Sequence, residues 1–211
     1  MSQPAPQRLS RHAPVLLLPK VLPEAFCRHL MAQFARELPV HGSSGRASPG
    51  FGLEKGDFYI EHDGGYGQML QLVLRSPELT QPLDDAWQRK VRPAIQHVFQ
   101  HDTPSREHWL VSRYSAPGNF MAAHRDRGTQ ATQHRNYTLT INLNGGEYEG
   151  GALRFPEFGD DHYLPEPGTA VIWSGNMMHE VLPVTRGVRF IVGSHLSGLA
   201  QASRMKVDPQ A

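Results

Sequence analysis

Two hydrophobic spacings divide the chain. In "LPEAFCRHLMAQFARELP" (22–39) Phe26, Leu30 and Phe34 recur every four residues, which predicts an amphipathic helix with Pro23 at its first position and Glu24 behind it. "PLDDAWQRKVRPAIQHVFQ" (82–100) carries a similar stripe of Leu83, Trp87, Val91 and Ile95. There Asp84 and Asp85 are expected to complement the helix N-terminus, and Pro93 to kink the helix. From Glu107 onward the spacing shortens to that of strands. "HWLVSRY", "NYTLTINLN", "GALRF", "TAVIW", "EVLPV" and "VRFIVGSHL" are extended runs separated by Gly, Pro and Asn. In "YTLTINL", Tyr137, Leu139, Ile141 and Leu143 face one way, and Thr138, Thr140 and Asn142 the other. "PVLLLPKVL" (14–22) reads as a strand feeding the first helix.

These elements predict a mainly β member of the α+β class, with several short strands closing into a sandwich or barrel. One domain is expected over 11–198, with helical support at 11–104 and the β core at 105–198. Residues 1–10 read as a flexible N-terminus and 199–211 as a polar tail. "VHGSSGRASPGFGLEKG" (40–56) has no periodicity and reads as a long loop, a candidate lid over a substrate.

Composition narrows the picture. A chain of 211 residues with 39% hydrophobic residues can build one sizeable core. Its 20 glycines and 17 prolines suit a turn-rich fold. A net charge of +1 offers no electrostatic case for nucleic acid or an anionic membrane. The single cysteine, Cys27, excludes an intramolecular disulfide and suits a reducing, cytoplasmic compartment. No apolar run is long enough to span a bilayer.

The chemistry begins at "FMAAHRDRG" (120–128). His124 and Asp126 stand two apart at the end of an extended stretch, so they share a face and can point at one ion. Taken alone, the pair reads at least as well as a solvated turn. A third group comes from "VIWSGNMMHEVLPVTRGVRFIVGSH", where His179 opens a strand and Arg189 lies within the next apolar run. An arginine inside an apolar strand needs an anion, and its planar fork suits a carboxylate. Two histidines and a carboxylate are the ligand set of non-heme Fe(II) oxygenases. The same set with an open position also describes catalytic zinc, so a zinc-dependent hydrolase is the competing reading. A non-catalytic β-sandwich binding module is the third. The cation at Arg189, which a hydrolase does not need, favours the oxygenase.

The stretches "RYSAPGNFMAAHRD", "RNYTLTINLN", "EYEGGALRFPEFG" and "PGTAVIWSGNMMHEVLPVTRGVRF" together resemble the 2-oxoglutarate- and Fe(II)-dependent dioxygenases, in the prolyl 4-hydroxylase-like branch. The resemblance runs from about Trp109 to Ser197 and implies a double-stranded β-helix, or jelly roll. It further implies that His124, Asp126 and His179 are the catalytic iron ligands and that Arg189 binds the C5 carboxylate of 2-oxoglutarate. Tyr114 would help hold that carboxylate, and Leu153 would form an apolar wall of the same pocket. The implied cofactors are Fe(II), 2-oxoglutarate and O2, with ascorbate in a supporting role. The implied reaction hydroxylates an unactivated C–H of an amino-acid-like small molecule or of a peptide or protein side chain, converting 2-oxoglutarate to succinate and CO2. Asp126 itself favours hydroxylation over halogenation, since related halogenases carry a small residue there.

Other residues receive plainer expectations. Arg186 reads as a solvated turn residue. His195 shares a face with Arg189 and points either into the pocket or into a satisfied core position. Arg135 reads as a surface arginine rather than a contact for an anionic substrate. His41, His62, His97, His101 and His162 read as surface. The sequence names neither the substrate nor the oligomeric state.

Overall fold

The structure, a computed structural model, describes residues 12–41, 59–61 and 69–198. The expected N-terminus, most of the 40–56 loop, His62 and the polar tail lie outside these residues.

Strand β1 (Leu16–Leu18) leads into helix α1 (Glu24–His41), as the sequence predicts, although the helix continues through Pro39. Strands β2 (Tyr59–Glu61) and β3 (Leu70–Leu74) follow. The second helical segment begins earlier than its stripe suggests, at α2 (Pro77–Ala86), where Pro77 takes the first position behind Ser76. Asp84 and Asp85 therefore sit inside the helix rather than at its N-terminus. Asp84 instead accepts from Arg106 Nε and Nη2 at 2.5 and 2.7 Å and from Trp109 Nε1 at 2.9 Å, tying the helix to the sheet.

The expected kink at Pro93 is a π-turn, Trp87–Val91, before helix α3 (Arg92–Phe99). Proline has no N–H and its ring crowds the carbonyl four residues back, that of Arg89. The helix widens there, and the N–H of Arg92 bonds to Trp87 O, five residues back. Leu83, Trp87, Val91 and Ile95 nonetheless all bury, at 0–6% exposure.

The remaining strands are β4 (Ser105–Arg106), β5 (Trp109–Ser115), β6 (Met121–His124), β7 (Tyr137–Asn142), β8 (Glu149–Gly150), β9 (Leu153–Arg154), β10 (His162–Tyr163), β11 (Ala170–Ser174), β12 (His179–Val181), β13 (Val184–Arg186) and β14 (Val188–Ser197). Among the described residues the larger sheet runs β1-β11-β7-β14-β5-β3-β2, with β4 paired to the end of β14. A smaller sheet runs β10-β9-β12-β6, and β13 pairs with β8. Every pairing is antiparallel, which is the jelly-roll arrangement expected.

Two apolar layers follow from strand alternation. Leu139, Ile141, Ile172, Val111 and Val192 turn outward and pack under Leu30, Phe34, Leu83 and Ile95 of the helices. Val171, Trp173, Tyr114 and Ile191 turn inward and meet Leu153, Phe155 and Val181 of the smaller sheet. Strand β7 is buried on both faces: Leu139 and Ile141 lie against the helices, while Thr138 and Asn142, at 5% and 1% exposure, lie on the inner side. Polar side chains buried on the inner side of a sandwich mark where the chemistry sits.

Candidate metal and cosubstrate site

His124 ends β6 and His179 opens β12, and the two are direct register partners across the antiparallel pair. Their ring centroids lie 4.3 Å apart. Asp126 reaches back from the loop two residues on, so that ligand atoms of His124, Asp126 and His179 all lie within 4.8 Å of one another. His124 Nε2 is 3.5 Å from Asp126 Oδ1, and His179 Nε2 is 3.4 Å from Asp126 Oδ2.

The opposite ring nitrogens explain that orientation. His124 Nδ1 lies 2.8 Å from Ala122 O, and His179 Nδ1 lies 3.1 Å from Met177 O. A ring nitrogen facing a carbonyl carries a proton, so Nε2 is in each ring the atom offered to a metal ion. Trp173 Nε1 is 3.3 Å from His179 Nδ1, a longer contact than the Met177 carbonyl, and its ring packs edge-on to the imidazole with centroids 4.9 Å apart. Trp173 thus holds His179 in place, a role its sequence context did not reveal. The donor set, two imidazole nitrogens and one carboxylate on one face, fits a divalent metal ion.

The electrostatics agree. Burial alone would raise the Asp126 carboxyl, but the His124 hydrogen bond, the charges of His179 and His195, and the Thr138 hydroxyl together hold it well below the usual carboxylate range. Burial pushes His179 below the ordinary histidine value. For His124 burial acts in the same direction, yet the hydrogen bond to Asp126 outweighs it and raises the imidazole. Asp126 therefore stays ionised, as a ligand must.

Arg189 and Tyr114 are register partners on β14 and β5. The guanidinium stands 5.4 Å from the Tyr114 ring centroid, and both residues are 3% exposed. Nε and Nη1 of Arg189 are buried with no hydrogen-bond partner among the described residues. Burial pushes the Tyr114 phenol up to about 12, against the opposing Arg189 charge and with a smaller push from Asp126, so its O–H remains a donor. Leu153 closes the same inner layer at 3% exposure. Gly151, at φ +64°, permits this approach, because a Cβ there would stand 3.1 Å from Arg189 Cδ and 2.9 Å from Val184 Cγ2.

The six residues picked from the sequence thus gather in one inner region. Two other expectations change. Arg135 is not a surface arginine: its Nε and Nη2 grip Glu107 at 2.6 and 2.9 Å, with the side chain only 19% exposed. His134 Nε2 reaches the same carboxylate at 2.6 Å. His101 is half-buried against Tyr137, with centroids 5.5 Å apart. Arg186 is exposed as expected and pairs with Glu149 at 2.5 Å, while His97 and His162 are exposed. His41 and His62 have no described side chains.

Thr138 and Arg125 escaped sequence reasoning, while His195 takes the inward position that was one of its two expected placements. Thr138 donates to Asp126 Oδ2, and His195 Nδ1 lies 3.2 Å from the same hydroxyl. The inward phase of β7 was the available signal. Arg125, between the two ligands, donates to Glu157 Oε1 and Oε2 at 2.6 and 3.1 Å and to Asn176 O. Glu157 also accepts from Met178 N at 3.0 Å, so this pair straps the Asp126 loop to the turn before His179.

Residues 109–196 match the family model described as the 2OG-Fe(II) oxygenase superfamily. That segment is similar to this superfamily of 2-oxoglutarate- and Fe(II)-dependent dioxygenases, whose members use Fe(II), 2-oxoglutarate and O2. A PKHD-type hydroxylase of Picosynechococcus is 27% identical over 149 residues, covering 67% of this chain and 68% of that one. The rat multifunctional procollagen lysine hydroxylase and glycosyltransferase is 29% identical over 119 residues, and the match covers 53% of this chain but only 16% of the rat protein. Among solved structures, a Pseudomonas putida prolyl-4-hydroxylase superposes with a TM-score of 0.65 at 21% identity, covering 87% of this chain and 92% of that one. The fold is therefore a jelly roll like that of the prolyl-4-hydroxylase. No described helix is long and apolar enough to cross a membrane.

Proposed function

We propose that the protein is an Fe(II)- and 2-oxoglutarate-dependent hydroxylase acting on an unactivated C–H of a peptide side chain or amino-acid-like small molecule. His124, Asp126 and His179 hold the iron, and Arg189 binds the far carboxylate of 2-oxoglutarate. The observation that carries this reading is that Nε and Nη1 of the Arg189 fork are buried without a hydrogen-bond partner among the described residues, beside Tyr114 of the inner layer whose Trp173 packs on His179. A desolvated cation without an anion is costly, and a dicarboxylate cosubstrate supplies one at fixed distance. A zinc hydrolase built on the same ligands leaves that fork without a role.

Iron with 2-oxoglutarate and O2 supplies the oxidising chemistry, which the side chains themselves lack. The chain's own residues do the rest. The carbonyls of Ala122 and Met177 fix which imidazole nitrogen is offered. Arg189 and the Tyr114 hydroxyl orient the cosubstrate along the cavity, and Leu153, with Phe155 and Val181, forms its apolar wall and excludes water. Peptides follow as the favoured substrate class from relatives named as collagen prolyl, procollagen lysine and hypoxia-inducible-factor prolyl hydroxylases.

The test is 2-oxoglutarate-dependent O2 uptake with succinate formation by the Fe(II)-loaded protein, against a panel of proline- and lysine-bearing peptides. Tight zinc binding with peptide or ester hydrolysis, and no 2-oxoglutarate turnover, would overturn the reading.

A further inference from the structure

We propose that Thr138 and His195 are positioning residues for Asp126, holding one carboxylate oxygen so that only the other is offered to the metal. The inference rests on the metal-site reading above. It begins from proton counting on a single hydroxyl.

Thr138 Oγ1 lies between Asp126 Oδ2 and His195 Nδ1, the latter at 3.2 Å. A threonine hydroxyl has one proton. Thr138 Oγ1 donates to Asp126 Oδ2, so that proton goes to the carboxylate. The hydroxyl oxygen is then an acceptor toward His195, whose Nδ1 must carry hydrogen. The chain of donors therefore has one direction, from His195 Nδ1–H to Thr138 Oγ1–H to Asp126 Oδ2. Thr138 and His195 are register partners on β7 and β14, in the middle of the larger sheet, so the device stands on rigid backbone.

The consequence is a carboxylate with two unequal oxygens. Both oxygens face a ligand histidine, Oδ1 at 3.5 Å from His124 Nε2 and Oδ2 at 3.4 Å from His179 Nε2, but Oδ2 also accepts from Thr138, so Oδ1 is the one left for an ion. A one-oxygen carboxylate keeps the coordination shell open for a cosubstrate, whereas a two-oxygen grip fills a further position. The wider cluster faces this pair as well. Arg135, Glu107 and His134 lie behind His195, and Ser194 Oγ bonds to Glu107 O at 2.9 Å. These groups fix the strand on which His195 rides.

The probe is Co(II) alone, titrated into the full-length metal-free protein by calorimetry while its visible d–d absorption is followed. Thr138→Val keeps the shape and removes the hydroxyl, and is expected to weaken Co(II) binding by about 10–100-fold and to change the band shape as the coordination number changes. Thr138→Ser restores the hydroxyl and is expected to restore the wild-type band and affinity. His195→Leu is expected to shift both readouts in the same direction by a smaller factor. Unchanged affinity and an unchanged band in Thr138→Val would overturn the proposal while leaving the metal site intact. Should that variant fail to fold, His195→Leu decides alone, and wild-type behaviour there overturns it. A wild-type protein that binds no Co(II) instead removes the metal-site reading, and this inference with it.

Discussion

Replacing Arg189 with methionine separates two effects of opposite sign. Arg189 is 3% exposed, and its Nε and Nη1 have no hydrogen-bond partner among the described residues. A buried donor without an acceptor costs roughly 1–3 kcal/mol, so two of them burden the ligand-free fold by at least about 2 kcal/mol. Methionine fills much of the same space without polar atoms, at the loss of the cation–π contact with Tyr114, about 1 kcal/mol. The net expectation is a ligand-free protein more stable by about 1 kcal/mol, or about 2–4 °C in Tm for a chain of this size. Binding moves the other way. Charge-assisted hydrogen bonds contribute about 1.5–3 kcal/mol each, and losing two from a desolvated pair weakens 2-oxoglutarate by roughly 3–5 kcal/mol. At 1.4 kcal/mol per decade that is about two to four orders of magnitude in Kd. Thermal unfolding with and without Mn(II) and 2-oxoglutarate, followed by calorimetric titration, reads both quantities. A variant with lowered ligand-free Tm and wild-type 2-oxoglutarate affinity would refute the reasoning.

Three further outcomes are expected. His179→Ala removes a ligand held by the Met177 carbonyl and Trp173, and should abolish stoichiometric Fe(II) binding in anaerobic titration; retained binding at wild-type affinity contradicts the assignment. Leu83, fully buried beneath the helices, should cost about 2–5 kcal/mol as Leu83→Ala in urea unfolding, and a loss below about 1 kcal/mol would mean the helical layer does not share the sheet's core. Burial alone would raise Glu107, but Arg135, His195 and His134 outweigh it and hold the carboxyl below its ordinary 4.5. A depressed carboxylate contributes stability that is complete above pH 4.5 and is lost as pH falls through the lower folded value. Glu107→Gln should therefore lower Tm at neutral pH and flatten its fall below pH 4.5, and an acid limb as steep as wild type argues against the pair.

The β core was legible because strand alternation is local: the phase of "YTLTINL" alone separates Leu139 and Ile141 from Thr138 and Asn142. The metal cluster was legible because His124 and Asp126 share a face and the third histidine opens a strand. Arg189 was legible as an arginine in an apolar run. What escaped depends on pairing between distant strands. Thr138 looked like an ordinary strand threonine, because its partner His195 is brought beside it only by the β7–β14 register. Arg135 looked solvent-facing, because Glu107 arrives from a separate segment. The second helix was placed too late because its apolar stripe starts at Leu83, while the backbone helix starts at a proline one and a half turns earlier. The five-residue loop of backbone at Trp87 answers the missing proline donor, and no side-chain period records it.

The direct pairing of His124 with His179 means that an ion bound there would act as a clasp on a sheet margin. Strand β6 is the last strand of the smaller sheet, and beyond the two histidines its register with β12 slips before Met121 meets Val181. An edge strand so short and irregular is where local opening begins. An ion bridging the two strands joins that margin to its neighbour, so amide exchange along 121–124 and 179–181 should slow on metal loading while the helices underneath exchange as before. Catalytic readiness and the closing of one frayed seam are then the same event.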